Sequence, residues 1–482
     1  MTTRPEGNME GVGTARRVTA MVGALMALAA AIGVVMRPAE AGPRTCSRPS
    51  TALGFERPKY LDKHRAGGEP TVEQHPDGTM IYGAHAGTTH FYAPAGADPT
   101  TAAFVENYTG QTYYYFSEDR GKTWKFAPRD APDNLPNQGF SDPESAVDKA
   151  GNLYISEINL VNVAVSKSTD SGRSYELQNF FGQTIHDRQW MAADEKNVVY
   201  MVGNSFGGGT APTQPVGNIG HYLYKSTDGG KTFSAGIQDE QRGSGLGDLQ
   251  VDKSDGTLYE AHYDGETLSL AAFRNARQSK FGVDVNTVAR KVDMLSHWPA
   301  FDLDPQGNLY MVWDESGQGG RGAGIWYSYS TDRGRSWARP VRVDADNKTD
   351  IWPWLAVGDR GRVAIAYLEA SKKLPNHDAE TPGDHGWRVV AAQTLTGLGC
   401  ERSNDPGFRR ATATEQPMHR GTICQGGTVC QAMGIDRRLG DFFTIEIDNR
   451  GAMWAGYSDT RQGGAVALPG FVRQSGGPSF LR

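Results

Sequence analysis

The sequence predicts an all-β fold built as a single β-propeller, and three observations carry that reading. Glycine takes 60 of 482 residues, against a usual share of about 7%, and it comes with 10 Trp, 19 Tyr and 18 Phe. That mixture suits many short strands joined by tight turns. An eight-residue box, S-x-D-x-G-x-[ST]-aromatic, recurs four times, at 117–124, 168–175, 226–233 and 330–337. An apolar strand, an Asp-x-x-Gly-type turn and a strand rich in Tyr and Trp recur seven times, at 69–85, 142–156, 188–202, 247–263, 298–313, 352–367 and 442–457. Units of roughly 45–60 residues have room for four short strands, the unit of a propeller blade. Seven blades are expected, or six if residues 440–482 only complete an earlier blade.

Charged residues are 22% and hydrophobic ones 38%, with a net charge of −6. This excludes a coiled coil, a polytopic membrane protein and a highly charged disordered chain. Nothing in the balance invites nucleic acid.

The N-terminus reads as an address. Arg16 and Arg17 precede an uncharged run at 18–36, followed by the small-x-small pattern Ala39-Glu40-Ala41. A basic start, an apolar stretch and such a site are the parts of a secretory signal peptide. Cleavage after Ala41 would leave no membrane segment; an uncleaved anchor is the alternative, because a run of this length just spans a bilayer. Residues 42–68 are expected to precede the propeller and to offer a closing strand, 69–475 to form it, and 476–482 to be a tail. All four cysteines, Cys46, Cys400, Cys424 and Cys430, lie beyond the leader. An even number in an exported chain suggests two disulfides with three possible connectivities. Cys424 with Cys430 would close a small loop, and Cys46 with Cys400 would tie the N-terminus to the late chain.

The boxes are hairpin turns by their chemistry. Asp119, Asp170, Asp228 and Asp332 accept turn amides, the glycine supplies positive φ, and the aromatic anchors the next strand. Their spacings are 51, 58 and 104 residues. The last is twice 52, so one unit in between lacks its box. These aspartates are structural rather than catalytic.

The boxes match the Asp-box repeat of the sialidase-like propeller superfamily. Asp187-Arg188-Gln189-Trp190 and the late stretches 440–443 and 454–463 are similar to bacterial sialidase-family proteins. The resemblance covers roughly 69–475. It implies a propeller whose first-strand starts and second-strand ends share one face, with the boxes on the other. On the first face the starts are Glu69, Asp142 with Glu144, Asp187-Arg188, Asp248, His297-Trp298, Asp350 with Trp352, and Asp441. The second-strand ends add His85, Glu157, Asn204, His262, Asp264, Asp314, Glu315, Glu369, Asp459 and Arg461. Groups from almost every blade would converge on one mouth, a default place for a ligand. Each taken singly also has a structural reading, as a cap on a neighbouring loop amide.

Three chemistries fit this ring. Glycoside hydrolysis needs two carboxylates about 5–5.5 Å or about 6.5–9.5 Å apart, for which Asp142, Glu144, Asp187 and Asp248 are the candidates. Sialidase chemistry, as the resemblance implies it, holds a substrate carboxylate with three arginines. Arg188, Arg388 and Arg461 are the candidates, although the family's usual R-I-P signature is absent and no Tyr–Glu nucleophile pair can be assigned. Metal binding is the third: an acidic ring could offer Ca²⁺ its six to eight oxygens, though no cofactor is required. His297, Trp298, Trp352 and Asp441 complete the expected ligand contacts, the Trp rings to stack on sugar faces. Residues 372–388 form a long polar loop on this face. Residues 396–439, with three of the cysteines, read as an insertion, either a lid or partner surface or a cap over the propeller seam. The expectation is an exported monomer that binds, and in the enzymatic reading cleaves, a glycan at the channel mouth. A non-catalytic protein-binding or scaffold propeller is the competing class.

Overall fold

A computed structural model describes residues 51–85, 112–127, 141–158, 163–181, 185–206, 219–238, 247–295, 298–344, 346–400, 406–427, 430, 433–462 and 464–482. The leader, Cys46 and His297 lie outside the described residues. Among the described residues no helix is long and apolar enough to cross a membrane.

Seven antiparallel sheets follow one another along the chain, each of four strands or more. Their innermost strands are Gly68–Gln74, Ser141–Val147, Ile185–Ala193, Leu249–Asp252, Ala300–Leu303, Asp350–Val357 and Ile445–Ile447. These are blades 1 to 7, and the seven repeated motifs are their inner hairpins. The second strands are buried on both faces, as in Met80–His85, Leu309–Glu315 and Val363–Ala370. They lie between neighbouring blades, which is why they read as continuous apolar and aromatic runs.

The ring closes through its two ends. Blade 7 takes its inner three strands from the C-terminal part and its outer strand, Gly54–Phe55, from the N-terminal part, paired with Leu468–Gly476. Lys59–Tyr60 pairs with the same strand. The segment 396–439 is partly blade. Arg409–Thr412 is the outer strand of blade 6, and His419–Arg420 pairs with its third strand. Cys424 and Cys430 are joined in a disulfide, and Cys400 is disulfide-bonded as well.

The boxes belong to blades 1, 2, 3 and 5; blade 4 is the intervening unit without one, and blades 6 and 7 lack it as well. In each, the aspartate binds the turn it closes: Asp228 accepts from Thr232 N at 2.9 Å, Thr232 Oγ1 at 2.6 Å and Ser226 Oγ at 2.8 Å. The inner-hairpin aspartates do the same work. Asp148 accepts Asn152 N at 3.0 Å and the Tyr154 hydroxyl at 3.0 Å, and Asp304 accepts the Tyr310 hydroxyl at 2.6 Å. The box also joins blades. Trp124 of blade 1 packs on Trp454 and Phe471 of blade 7, and Tyr175 of blade 2 on Tyr114 of blade 1. Gly121, at φ +78°, has the Phe471 ring 2.2 Å from where a Cβ would stand. Glycine there meets both the turn and the approach of the preceding blade.

Asp228→Ala removes three hydrogen bonds on a partly exposed turn. It should lower the unfolding free energy by about 1–2 kcal/mol in urea titration and leave any ligand affinity unchanged.

Candidate functional site

In four blades the inner strand begins with the same distortion. The strand register slips between Gly68 and Thr71, Ser141 and Glu144, Asp187 and Trp190, and Ile351 and Trp354. At each slip one residue that is not glycine sits in the left-handed region: Glu69 (φ 42°), Asp142 (φ 48°), Arg188 (φ 58°) and Trp352 (φ 56°). Such a conformation costs on the order of 1–3 kcal/mol and persists where the surroundings over-determine it, commonly at functional sites. Here it turns polar side chains of different blades toward one axis.

Arg188 stands at their centre. Its guanidinium pairs with Asp441, lies 3.5 Å from Asp142 Oδ2 and 4.0 Å from Glu69 Oε1, and stacks 4.0 Å above the Trp298 ring. Asp441 also takes Arg437 NH2 at 2.8 Å, and His85 Nε2 meets Glu69 Oε2 at 2.7 Å. Burial pulls the Asp441 carboxyl up, but Arg188 and Arg437 pull it down further, to about 2. The group is closely packed: Glu69 and His85 are 0% exposed.

Below it the axis is filled by aromatic rings. Trp190 lies 5.8 Å from Trp298, 5.6 Å from Trp354 and 5.5 Å from Phe442, centroid to centroid. These rings come from blades 3, 5, 6 and 7 and meet across the axis. Trp298 therefore has one face under Arg188, and Trp352 is 2% exposed. Neither ring presents the open face that stacking on a sugar needs.

A second set of carboxylates lines the channel at and beyond these rings. Glu73, Asp302 and Glu446 stand on the inner strands of blades 1, 5 and 7 and act electrostatically on one another. Glu144 and Asp248 join them. Burial raises every one: Asp248 to about 6, Glu73 and Asp302 to about 7, Glu144 and Glu446 well above the usual carboxylate range. Mutual repulsion adds to it, with Asp248 acting on Glu144, Asp302 on Glu73, and Glu73 on Glu446.

The expected site residues are thus divided. Asp142, Arg188, Trp298 and Asp441 meet at the mouth. Glu144 and Asp248 face the channel, and Asp248 accepts Leu249 N at 2.7 Å. Asp187 pairs through its backbone with Asn204. Arg461 is held by Asp459 at 2.7 Å, and Arg388 stands opposite Glu369 on the third strand of blade 6. Neither joins the group around Arg188. Sequence reasoning missed Arg437, which lies outside every repeat, and Glu260, which lies between His221 and His262. Burial alone would raise Glu260, yet the two imidazoles hold it down to about 2.

Beside the mouth, at the seam of blades 5 and 6, a cleft of about 470 Å³ opens on the same face. Gln318, Asn376, Asp378, Glu380 and Gln425 supply its polar lining, and Met294, Leu295 and Ile351 its apolar strip. Asn376 and His377 are again left-handed.

No protein-family model and no curated protein matches the chain. Solved structures do. A protein of unknown function from Dyadobacter fermentans is 12% identical, with 88% of this chain and 99% of that one covered and a TM-score of 0.46. YCF48 from Cyanidioschyzon merolae is 11% identical, with 87% and 98% covered and a TM-score of 0.45. A mutant of the NanB sialidase from Streptococcus pneumoniae is 10% identical, with 91% and 71% covered and a TM-score of 0.40. By its four boxes and seven sheets this chain is a seven-bladed β-propeller with Asp-box hairpins. Its function has to be read from its own residues.

Two outcomes follow from the charges. Arg188→Ala leaves Asp441, Asp142 and Glu69 short of their shared cation and should cost about 3–5 kcal/mol of stability; Arg188→Ala with Asp441→Asn should cost less than the two singly, measured by denaturant titration. The channel carboxylates bind protons more tightly when folded than unfolded, so their contribution is fully present below the unfolded value near 4 and is lost as pH rises through about 6–7. Melting temperature should therefore fall between pH 5 and pH 7.5, and Glu446→Gln should flatten that slope.

Proposed function

We propose that this protein binds a polyhydroxylated ligand, a glycan, on the mouth face of the propeller, in the cleft at the seam of blades 5 and 6. The observation that carries the reading is the repeated left-handed distortion of the inner strands. Strain held at the same place in four blades, and again at Asn376 and His377 beside the cleft, builds a rigid mouth with shaped walls. Amide and carboxylate side chains next to a short apolar strip suit sugar hydroxyls and the C–H face of a ring.

Binding is favoured over hydrolysis by the state of the carboxylates. A general acid needs a pKa near the working pH and access to the bond it protonates. At the mouth, Asp142, Glu69 and Asp441 are already engaged by guanidinium or imidazole groups, and Asp441 is held near 2. Of the carboxyls raised into the range of a general acid, Asp248, Glu73 and Asp302 lie along the channel, and Asp314, which burial raises to about 7, is engaged by the Trp352 amide at 3.0 Å.

The test is a glycan array on the purified full chain, followed by calorimetry on the best ligand. Gln318→Ala and Asn376→Gly, the latter keeping the left-handed backbone unstrained, should each weaken binding tenfold or more, roughly 1.4 kcal/mol, with unchanged melting temperature. A fluorogenic α-sialoside should not turn over. A folded protein that retains no glycan sinks the proposal, and turnover abolished by Asp142→Asn replaces binding by hydrolysis.

A further inference from the structure

The loop entering blade 6 carries four acidic or amide side chains in seven residues, Asp344, Asp346, Asn347 and Asp350. Asp350 is the first residue of the inner strand, and its cross-strand partner is Glu369. One carboxylate oxygen from each of Asp346, Asp350 and Glu369 lies within 4.8 Å of the other two. Asp350 is 1% exposed, and among the described residues neither of its oxygens has a hydrogen-bond partner. A buried carboxylate left in that state is costly and calls for a cation.

The nearby side-chain cations do not meet this need. Lys348 Nζ sits on Glu369 Oε1 and lies 3.9 Å from Asp346 Oδ2. Arg410 NH1 lies 3.4 Å from Asp346 and 4.0 Å from Glu369. Both pair with the outer two carboxylates; among the described residues neither forms an ion pair with Asp350, on which Arg410 acts only at longer range.

We propose that Asp346, Asp350 and Glu369 form a binding site for a divalent cation of the hard, oxygen-seeking class, Ca²⁺ foremost. The donor set is all carboxylate oxygen, with no His or Cys, which suits Ca²⁺ rather than zinc. Three carboxylates can supply up to six oxygens if each binds through both. Lys348, whose side chain is 37% exposed, leaves Glu369 for solvent when the ion enters. The ion also reaches the neighbouring cleft through one residue. Thr349 Oγ1 accepts Leu374 N at 2.9 Å and faces His377 Nδ1 at 3.4 Å, so fixing Asp350 fixes the loop that bears Asn376 and Asp378.

The experiment is calorimetric titration of CaCl₂ into EGTA-stripped full chain, with melting curves in parallel and MgCl₂ as comparison. One Ca²⁺ per chain should bind at this site and raise the melting temperature. Asp350→Asn should weaken binding at least tenfold yet melt no lower than wild type in EGTA, because it removes a buried carboxyl crowded by Asp344, Asp346 and Glu369. Lys348→Met, which removes the internal competitor, should bind at least as tightly as wild type. Should Asp350→Asn fold poorly, Glu369→Gln carries the same expectation for affinity. A wild-type chain indifferent to Ca²⁺, or binding unchanged by Asp350→Asn and lost in Glu446→Gln of the channel, overturns the proposal. None of these readouts depends on glycan binding.

Discussion

One guanidinium holds the axis of this propeller. Arg188, on blade 3, touches carboxylates from blades 1 and 2, pairs with the residue that leads into blade 7, and lies over a ring from blade 5. Five of seven blades are therefore connected through one planar group. Only arginine offers several donors in a rigid fork together with a face that stacks on an aromatic ring. The arrangement is expensive, since charge is buried and the backbone at three of the contributing residues is left-handed. It survives because every group in it is over-determined by neighbours on different blades.

The rest of the molecule keeps those neighbours in place. At the rim, box glycines allow one blade to press on the next, as Gly121 on Phe471 and Gly172 on Ile81. At the closure, Gly54–Phe55 completes blade 7, and Arg473 of that blade pairs with Glu56 just beyond the strand. Between rim and axis, aspartates of the inner hairpins tie turn amides to tyrosines of the second strands. Turn chemistry, blade contact and axial charge thus form one chain of dependence, and the fold would lose its axis if the ring opened at either end.

Much of this was legible in the sequence, for a physical reason. A turn that needs an Asp acceptor and a left-handed glycine writes both residues into the chain at fixed offsets, so the boxes and inner hairpins announce seven blades. The polar ring was legible too, but as a single ring. The structure divides it, because the extra residue in four inner strands shifts side-chain parity. Asp142 then belongs to the mouth and Glu144 to the channel, two residues apart. Trp298 and Trp352 looked like sugar platforms because position alone does not reveal that Arg188 covers one and its neighbours bury the other. Arg437 left no periodic signal at all. Its partner, Asp441, is four residues on, but its burial arises only when blade 7 closes against blade 1. The strand Gly54–Phe55 is two residues long, too short to show alternation.

The division of the axis also bears on what the fold can be used for. The aromatic layer has a guanidinium paired with carboxylates on one side and, on the other, carboxyls whose affinity for protons burial and mutual repulsion raise. What remains free to vary without disturbing the axis is the set of loops between second and third strands and between blades. The cleft is built from these loops, and it sits where a tightly packed inner strand, Asp350–Val357, gives them a rigid floor. The binding proposed for this seam has a mechanical rationale. The axis supplies the stiffness, and the loops supply chemistry that can change without costing the axis its charges.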